Sequence, residues 1–371
     1  KATVTNGFSP EANQASAISV NNVAPNADGN VWIWYVAPED FARSSADYTK
    51  SEREVNIQIS ATFAGGATET INEKIKIVRP PVMLAHGLGG DSESWDEFEL
   101  SSGTLLKDDN SRFVKLPRAV SLLPTAAFEQ NAKRLTYLNE GHENSLPSVV
   151  AAMRSAGFVC NQADYVCHSM GGSVMRYCLS DKINGSPNPT FVKFFIPGNY
   201  GKGYVHKFVT LNTPHNGSPF ADLLHRYQDD PILRGIAWLQ GFFKNGQLEP
   251  AILNLQIDPN QEHHGGINFS STPFGIHAHR IASNIDCEDY SDPKNGSLWF
   301  LLYNAYKVGS SPFFQLPPSC DERKEMFEDL GYDPSFFDAS DFIVGTKSQL
   351  TGDGQFVTAG NKTVYDGLTH S

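Results

Sequence analysis

Short, continuous apolar runs that alternate with helical stretches most limit how this chain can fold. VMLA (82–85), ADYV (163–166) and KFVTL (207–211) are strand-length segments with few polar interruptions, typical of parallel strands buried on both faces. LPSVVAAMRSAG, expected to end as a helix at Gly157, and GSVMRYCL have the apolar spacing of helices. Strands alternating with helices predict an α/β fold with a mostly parallel sheet, in which AHRIAS (278–283) is a later core strand.

The first 79 residues have a different pattern. GNVWIWYVAP, REVNIQISATF and ETINEKIKIV alternate apolar and polar residues, so that Val55, Ile57 and Ile59 share one face. We therefore predict a small all-β, immunoglobulin-like domain of antiparallel strands over residues 1–79. The α/β domain is expected to cover residues 80–371.

Two stretches of the α/β domain fit the strand–helix alternation poorly. We interpret residues 222–275 and 287–338 as lid or cap insertions at the carboxyl edge of the sheet. They are rich in aromatic residues, among them Trp238, Phe242, Phe243, Trp299, Phe300, Phe313 and Phe314. Such an apolar cover would suit an acyl chain and exclude water, although the same aromatics would also serve as the core of the insertion itself.

Ser169, in VCHSMGG, follows one predicted strand and precedes a predicted helix. A sharp turn at this place projects a serine from the edge of a sheet, and the pattern G-x-S-x-G achieves it with small residues two positions before and after the serine. Gly171 occupies the second small position, and Cys167 stands at the first. Cysteine is small enough for the turn, so we predict a catalytic serine.

The HGLGG segment (86–90) directly follows the strand VMLA, where a loop can offer backbone N–H groups to an oxyanion. Together with CHSMGG and LNTPHNGSPFADLL (211–224), it resembles the lipase and esterase branch of the α/β-hydrolase fold. The resemblance implies that Ser169 is the nucleophile. It also implies that the backbone N–H groups of Leu88 and Met170 form the oxyanion hole.

The same resemblance implies a triad in the chain order serine, acid, histidine. SDFIVGTKSQL (340–350) is similar to the acid-bearing loop of bacterial lipases, which makes Asp341 the acid and His370 the base. Asp353, in a GDG turn, and Asp286, just after AHRIAS, remain alternative acids. His277 or His279 with an earlier acid is the fallback for the base. His86, His168 and His215 are expected to brace their loops.

Composition narrows the class of partner. The chain of 371 residues has a formal net charge of -12, which disfavours nucleic acid, and no apolar run has the length of a transmembrane helix. A small-molecule ester or lipid is the expected partner, with transient contact between the lid and a lipid interface. No cofactor is expected for the implied ester hydrolase. No metal is expected either, because the pair His263 and His264 lacks the ligand spacing of a regular metal site.

The five cysteines are relevant to whether the protein is exported or remains in the cytoplasm. Cys160, Cys167 and Cys178 lie among apolar neighbours and are expected to be buried thiols, while Cys287 and Cys320 are candidates for a disulfide. The acidic charge, the extra β domain and a start at a residue other than Met favour a secreted or periplasmic protein. Buried reduced thiols would fit a cytoplasm equally well.

The leading interpretation is a serine carboxylic-ester hydrolase, either lipase or esterase, that forms an acyl-enzyme. An acyltransferase or thioesterase would use the same triad. In a third interpretation the β domain mediates binding or adhesion and the hydrolase body is inactive.

Overall fold

The computed structural model describes residues 2–5, 21–35, 46, 50, 52–95, 117–120, 122–137, 145–191, 199, 203–239, 241–257, 267, 269, 276–284, 321, 325, 328, 329, 331, 349 and 361–366. The chain divides into two compact units. One comprises residues 1–79 with 108–115, and the other residues 80–107 with 116–371. The boundary after residue 79 coincides with the change in sequence pattern.

The first unit contains two antiparallel strand pairs among its described residues. They are β1 (Ala2–Thr5) with β2 (Trp32–Tyr35), and β3 (Glu52–Thr62) with β4 (Thr68–Val78). The alternation in β3 is visible as burial, since Val55, Ile57 and Ile59 are half-buried between exposed neighbours. The opposite face is polar, and the Gln58 amide donates to Asn72 across the pair at 3.1 Å. The immunoglobulin-like sandwich stays a prediction.

The second unit is built on a six-stranded sheet. Its strands are β5 (Val82–Ala85), β6 (Pro117–Val120), β7 (Ala163–His168), β10 (Val205–Leu211), β13 (His277–Asn284) and β14 (Asn361–Asp366). They are arranged in the order β14-β13-β10-β7-β5-β6, and every neighbouring pair is parallel. The α/β fold with a parallel sheet and the core strands predicted from the apolar runs are thus confirmed.

Six α-helices are described: α1 (Phe128–Thr136), α2 (Leu146–Ser155), α3 (Met170–Leu179), α4 (Pro219–Arg226), α5 (Pro231–Leu239) and α6 (Pro250–Leu255). α2 begins at the Ser145 cap, whose side chain accepts a hydrogen bond from the Ser148 amide, and stops before Gly157, which has a left-handed φ of 88°. α3 is buried at all ten positions. The helix predicted for GSVMRYCL is thus present, and it packs inside the unit on every side.

The shorter elements complete the described part of this unit. They are a 3₁₀ helix (Ser92–Trp95) and the small strand pairs β8 (Lys182–Ile183) with β9 (Ser186–Pro187) and β11 (Phe243–Lys244) with β12 (Gln247–Leu248). The described part of the first predicted insertion, 222–275, thus contains the end of α4, α5, the β11–β12 hairpin and α6. Among the described helices, none has the length and apolar character needed to cross a bilayer.

Candidate active site

Ser169 lies at the junction of β7 and α3, at the carboxyl edge of the parallel sheet. Its backbone has φ 49° and ψ -126°, a region that costs a residue with a side chain of the order of 1–3 kcal/mol. The surrounding structure holds this conformation, because the Ser169 amide donates to the Leu211 carbonyl at 2.9 Å and its own carbonyl accepts from the Gly172 amide at 3.0 Å. The strained strand–serine–helix turn is the geometry of a nucleophile elbow.

The glycines after the serine allow α3 to begin between two other loops. A Cβ on Gly171 would lie 2.8 Å from the His86 carbonyl oxygen and 2.9 Å from that of Ala85. A Cβ on Gly172 would lie 2.1 Å from the Thr213 hydroxyl. Both positions therefore exclude any side chain for reasons of contact, in addition to the requirements of the turn.

The HGLGG loop packs directly against the serine. A Cβ on Gly87 would lie 2.8 Å from the Ser169 Cβ and 3.3 Å from its Oγ. Leu88 is the next residue, so its backbone amide belongs to the part of the loop beside the serine. Among the residues that the structure describes, neither the Leu88 amide nor the Met170 amide donates a hydrogen bond to a protein group.

His86 braces this loop from within. The side chain is 1% exposed, and its Nδ1 lies 2.9 Å from the Gly87 carbonyl oxygen while its Nε2 lies 3.2 Å from that of Leu122. Both ring nitrogens thus face loop carbonyls, and a neutral ring donates one of these two hydrogen bonds. This is the bracing position expected for His86, and it leaves the ring poorly placed to act as a base.

Cys167 lies on β7 and occupies the position that the serine motif usually gives to glycine. The side chain is fully buried and its thiol donates to the Val209 carbonyl at 3.3 Å. Burial raises the pKa of the Cys167 thiol well above its ordinary value, against a smaller opposing effect of the neighbouring Thr213 side chain. The thiol is therefore neutral at physiological pH and is unsuited to act as a nucleophile.

A buried arginine fixes the loop after β10. Arg176, on α3, is fully buried and its Nη1 donates to the His215 carbonyl oxygen. The guanidinium carbon lies 4.6 Å from the centre of the Phe269 ring, and burial lowers the pKa of Arg176 to about 9. His215 is itself fully buried, with Nε2 3.3 Å from the Thr210 hydroxyl. Arg176 was missed from the sequence, where a lone arginine in the apolar segment GSVMRYCL was the available signal.

The predicted acid and base, Asp341 and His370, lie outside the described residues, as do Asp286, Asp353, His263, His264, Cys287 and Cys320. Two described residues, Asp366 and Gln349, lie near Asp341 and His370 in the sequence. Asp366 ends β14 level with Asn284, four residues before His370 and at the same sheet edge as Ser169. Gln349, from the SDFIVGTKSQL segment, is buried and bonds both backbone groups of Ser283: its Oε1 accepts from the amide at 3.0 Å and its Nε2 donates to the carbonyl at 3.4 Å.

The fallback bases His277 and His279 lie on β13, back from the edge of the sheet that carries the serine. Ile281 is level with Leu211, which is level with His168 of β7. His279 and His277 precede Ile281 by two and four residues, about 7 and 13 Å back along the strand at the usual rise per residue. His279 thus lies inside β13 and the exposed His277 at its first residue, where both are poorly placed to reach Ser169.

The described residues include the side-chain types of metal sites and of thiol chemistry. In that part of the chain, no three His, Cys, Asp or Glu side chains are grouped closely enough to hold a metal ion. Cys160, Cys167 and Cys178 are buried free thiols, as the sequence predicted. The site therefore offers a projecting hydroxyl and two backbone amides beside it.

No family model and no curated protein match the chain. Solved structures with similarity include the mature lipase BlEst2 of Bacillus licheniformis, with 16% identity over 76% of this chain and 84% of that one, at a TM-score of 0.40. EstA of Clostridium botulinum has 12% identity, coverage of 78% and 82%, and a TM-score of 0.43. Lipase 1 of Pelosinus fermentans has 14% identity, coverage of 78% and 92%, and a TM-score of 0.41.

Proposed function

We propose that this protein is a serine carboxylic-ester hydrolase of the lipase and esterase class. The observation that carries the proposal is Ser169 itself, held at φ 49° between β7 and α3 with the HGLGG loop packed against its side chain. A protein has little reason to maintain this strained turn unless the hydroxyl is used. Attack by Ser169 Oγ on an ester carbonyl would form an acyl-enzyme, which water then cleaves.

The remaining roles follow from the same proposal. His370 accepts the serine proton and returns it to the leaving alcohol, while Asp341 orients the ring and stabilises the imidazolium. The amides of Leu88 and Met170 stabilise the oxyanion, and each such donor is worth a factor of about 10² to 10³ in turnover. The reaction needs no cofactor, because the protein supplies nucleophile, base and oxyanion donors.

The two insertions are proposed to cover the site. Contact between this cover and a lipid interface is part of the proposal, and Trp238, at the end of α5, is 66% exposed. Export from the cell remains part of the proposal on the grounds of acidic charge and the separate β unit.

The experiment is hydrolysis of p-nitrophenyl esters of increasing acyl length by the wild-type protein and by Ser169→Ala. We expect turnover by the wild type and a loss of several orders of magnitude in the variant, with stoichiometric labelling of Ser169 alone by a fluorophosphonate. Equal rates in the two proteins would overturn the enzyme assignment and leave the binding interpretation. Transfer of the acyl group to an added alcohol or thiol faster than to water would indicate an acyltransferase.

A further inference from the structure

The HGLGG loop is held from outside by the connecting loop, residues 122–127, which joins β6 to α1. The Gly89 amide donates to the Pro124 carbonyl at 3.0 Å. His86 Nε2 lies 3.2 Å from the Leu122 carbonyl oxygen. The position of the Leu88 amide, between these two contacts, therefore depends on where the connecting loop lies.

The connecting loop is in turn tied to the cap segment, residues 241–257. The Thr125 hydroxyl donates to Glu249 Oε2 at 2.9 Å, and the Ala251 amide donates to the Thr125 carbonyl at 3.0 Å. The side chain and the backbone carbonyl of Thr125 thus both bond the cap. A segment 124 residues away in the chain holds the loop that supports HGLGG.

The cap segment also touches HGLGG directly. The Phe242 ring lies 3.3 Å from the place where a Cβ on Gly89 would be, and Gly89 has a left-handed φ of 73°. The Phe242 carbonyl accepts from the Glu249 amide at 2.9 Å. One short hairpin therefore supplies both the direct contact through Phe242 and the indirect one through Glu249.

We propose that Glu249 and Phe242 are positioning residues for the oxyanion hole, so that the cap sets the place of the Leu88 amide. This inference rests on the function proposed above. An oxyanion donor stabilises the transition state only when it is preorganised at hydrogen-bonding distance from the oxyanion. Loosening the support of one donor should cost less than removing it, and we expect kcat to fall about 10-fold, below the factor of about 10² to 10³ for outright removal.

The test compares Glu249→Ala, Glu249→Gln and Thr125→Val in the full chain. Glu249→Ala and Thr125→Val remove the hydrogen bond, so kcat should fall about 10-fold with KM unchanged, as for an interaction made only in the transition state. Glu249→Gln keeps an acceptor oxygen and should retain most of the activity. The double variant Thr125→Val with Glu249→Ala should lose no more than either alone, because both remove the same bond. Phe242→Leu, which trims the direct contact, should also lower kcat.

A matched control is Glu129→Ala, which removes a half-exposed glutamate paired with Lys133 at 2.8 Å on α1 and should leave kcat unchanged. Affinity for a trifluoromethyl ketone analogue of the tetrahedral intermediate should fall in parallel with kcat/KM across the series. A raised KM with unchanged kcat, or full activity in both Glu249→Ala and Thr125→Val, would overturn this inference while the hydrolase assignment stood. A wild-type protein without ester hydrolysis or fluorophosphonate labelling would overturn both.

Discussion

At the scale of single residues, the serine turn is specified by contacts more than by the turn alone. Gly87 is excluded from having a side chain by Ser169, and Gly172 by Thr213. The sequence motif predicted the turn because Gly171 and Gly172 closely follow Ser169 in the chain. The motif did not predict the role of Cys167. That role depends on β10, because the Val209 carbonyl of β10 accepts a hydrogen bond from the Cys167 thiol.

Gly172→Ala should be poorly tolerated. The new methyl group would lie 2.1 Å from the Thr213 hydroxyl, and overpacking of this kind costs about 1–3 kcal/mol. Denaturation by urea should show the loss in the free energy of unfolding, together with reduced labelling of Ser169. Gly235→Ala is the control, because nothing lies within 4 Å of its Cβ position in α5. That change should be neutral or stabilise by about 0.5–1 kcal/mol.

Cys167→Gly should retain the wild-type catalytic efficiency per folded molecule. The buried thiol is protonated and plays no part in the proposed chemistry, so only stability should fall, through the small cavity that the change creates. Ester hydrolysis and thermal unfolding measured together separate the two effects. Iodoacetamide at neutral pH should also leave any ester hydrolysis by the native protein unchanged. If the folded variant hydrolyses esters with an efficiency lowered by about 10-fold or more, which is 1.4 kcal/mol of transition-state stabilisation, the thiol has a role in the reaction.

At the scale of secondary-structure elements, the strands could be predicted because each leaves a local pattern of apolar residues in the sequence. The strands β5, β7, β10 and β13 were predicted because continuous apolar runs of strand length indicate buried parallel strands. The contact of Thr125 with Glu249 was not, because a hydrogen bond between residues 124 apart in the chain leaves no periodic signal. The same is true of Gln349, whose side chain bonds the end of β13 from a segment 66 residues later.

Gln349→Ala should destabilise the protein by about 1–3 kcal/mol, the cost of leaving buried backbone groups unsatisfied. Its amide satisfies both the N–H and the carbonyl of Ser283. Urea unfolding measures the effect, and Gln58→Ala is the matched control because its bond to Asn72 is exposed. If the segment also carries the catalytic acid, kcat should fall in the Gln349 variant alone. Equal stability of the two variants would contradict this role for the Gln349 side chain.

At the scale of the whole molecule, the parallel sheet brings the serine, the HGLGG loop and the ends of β13 and β14 to one edge. This gathering follows from parallel order, because the carboxyl ends of all strands meet there. The fold class and the serine turn were therefore accessible from sequence. The chemistry at Asp341 and His370 remains a prediction, and so does the architecture of residues 1–79.

The free energy of unfolding should fall as pH rises above about 9 in the native protein. Burial raises the pKa of Cys167, Cys178 and Tyr165, and that of Tyr177 to about 12. In the unfolded chain these groups lose their protons near the ordinary pKa values of 9.0 for cysteine and 10.0 for tyrosine, whereas the folded state keeps them. With respect to these groups, the free energy of unfolding is therefore constant below about pH 9 and declines as the pH rises above it. Arg176, whose pKa is lowered by burial, has the opposite effect on stability. It is a single group, whereas several groups have raised pKa values.

Urea titrations at about pH 8, 9 and 10 measure this dependence. Cys178→Ala removes one of the responsible thiols, and its stability should decline less steeply with pH than that of the wild type by up to about 1.4 kcal/mol per pH unit. Identical slopes for both proteins would refute the assignment of the alkaline loss to buried thiols.

The position of β14 at the edge of the sheet has a consequence for synthesis in the cell. Its residues, 361–366, come after every other described strand in chain order and lie beside β13. A growing chain therefore contains the segments of the serine turn and its supporting loops before this strand is synthesised. On the proposed assignment, the base His370 follows β14 by four residues, so the serine would lack its base until this strand had been synthesised.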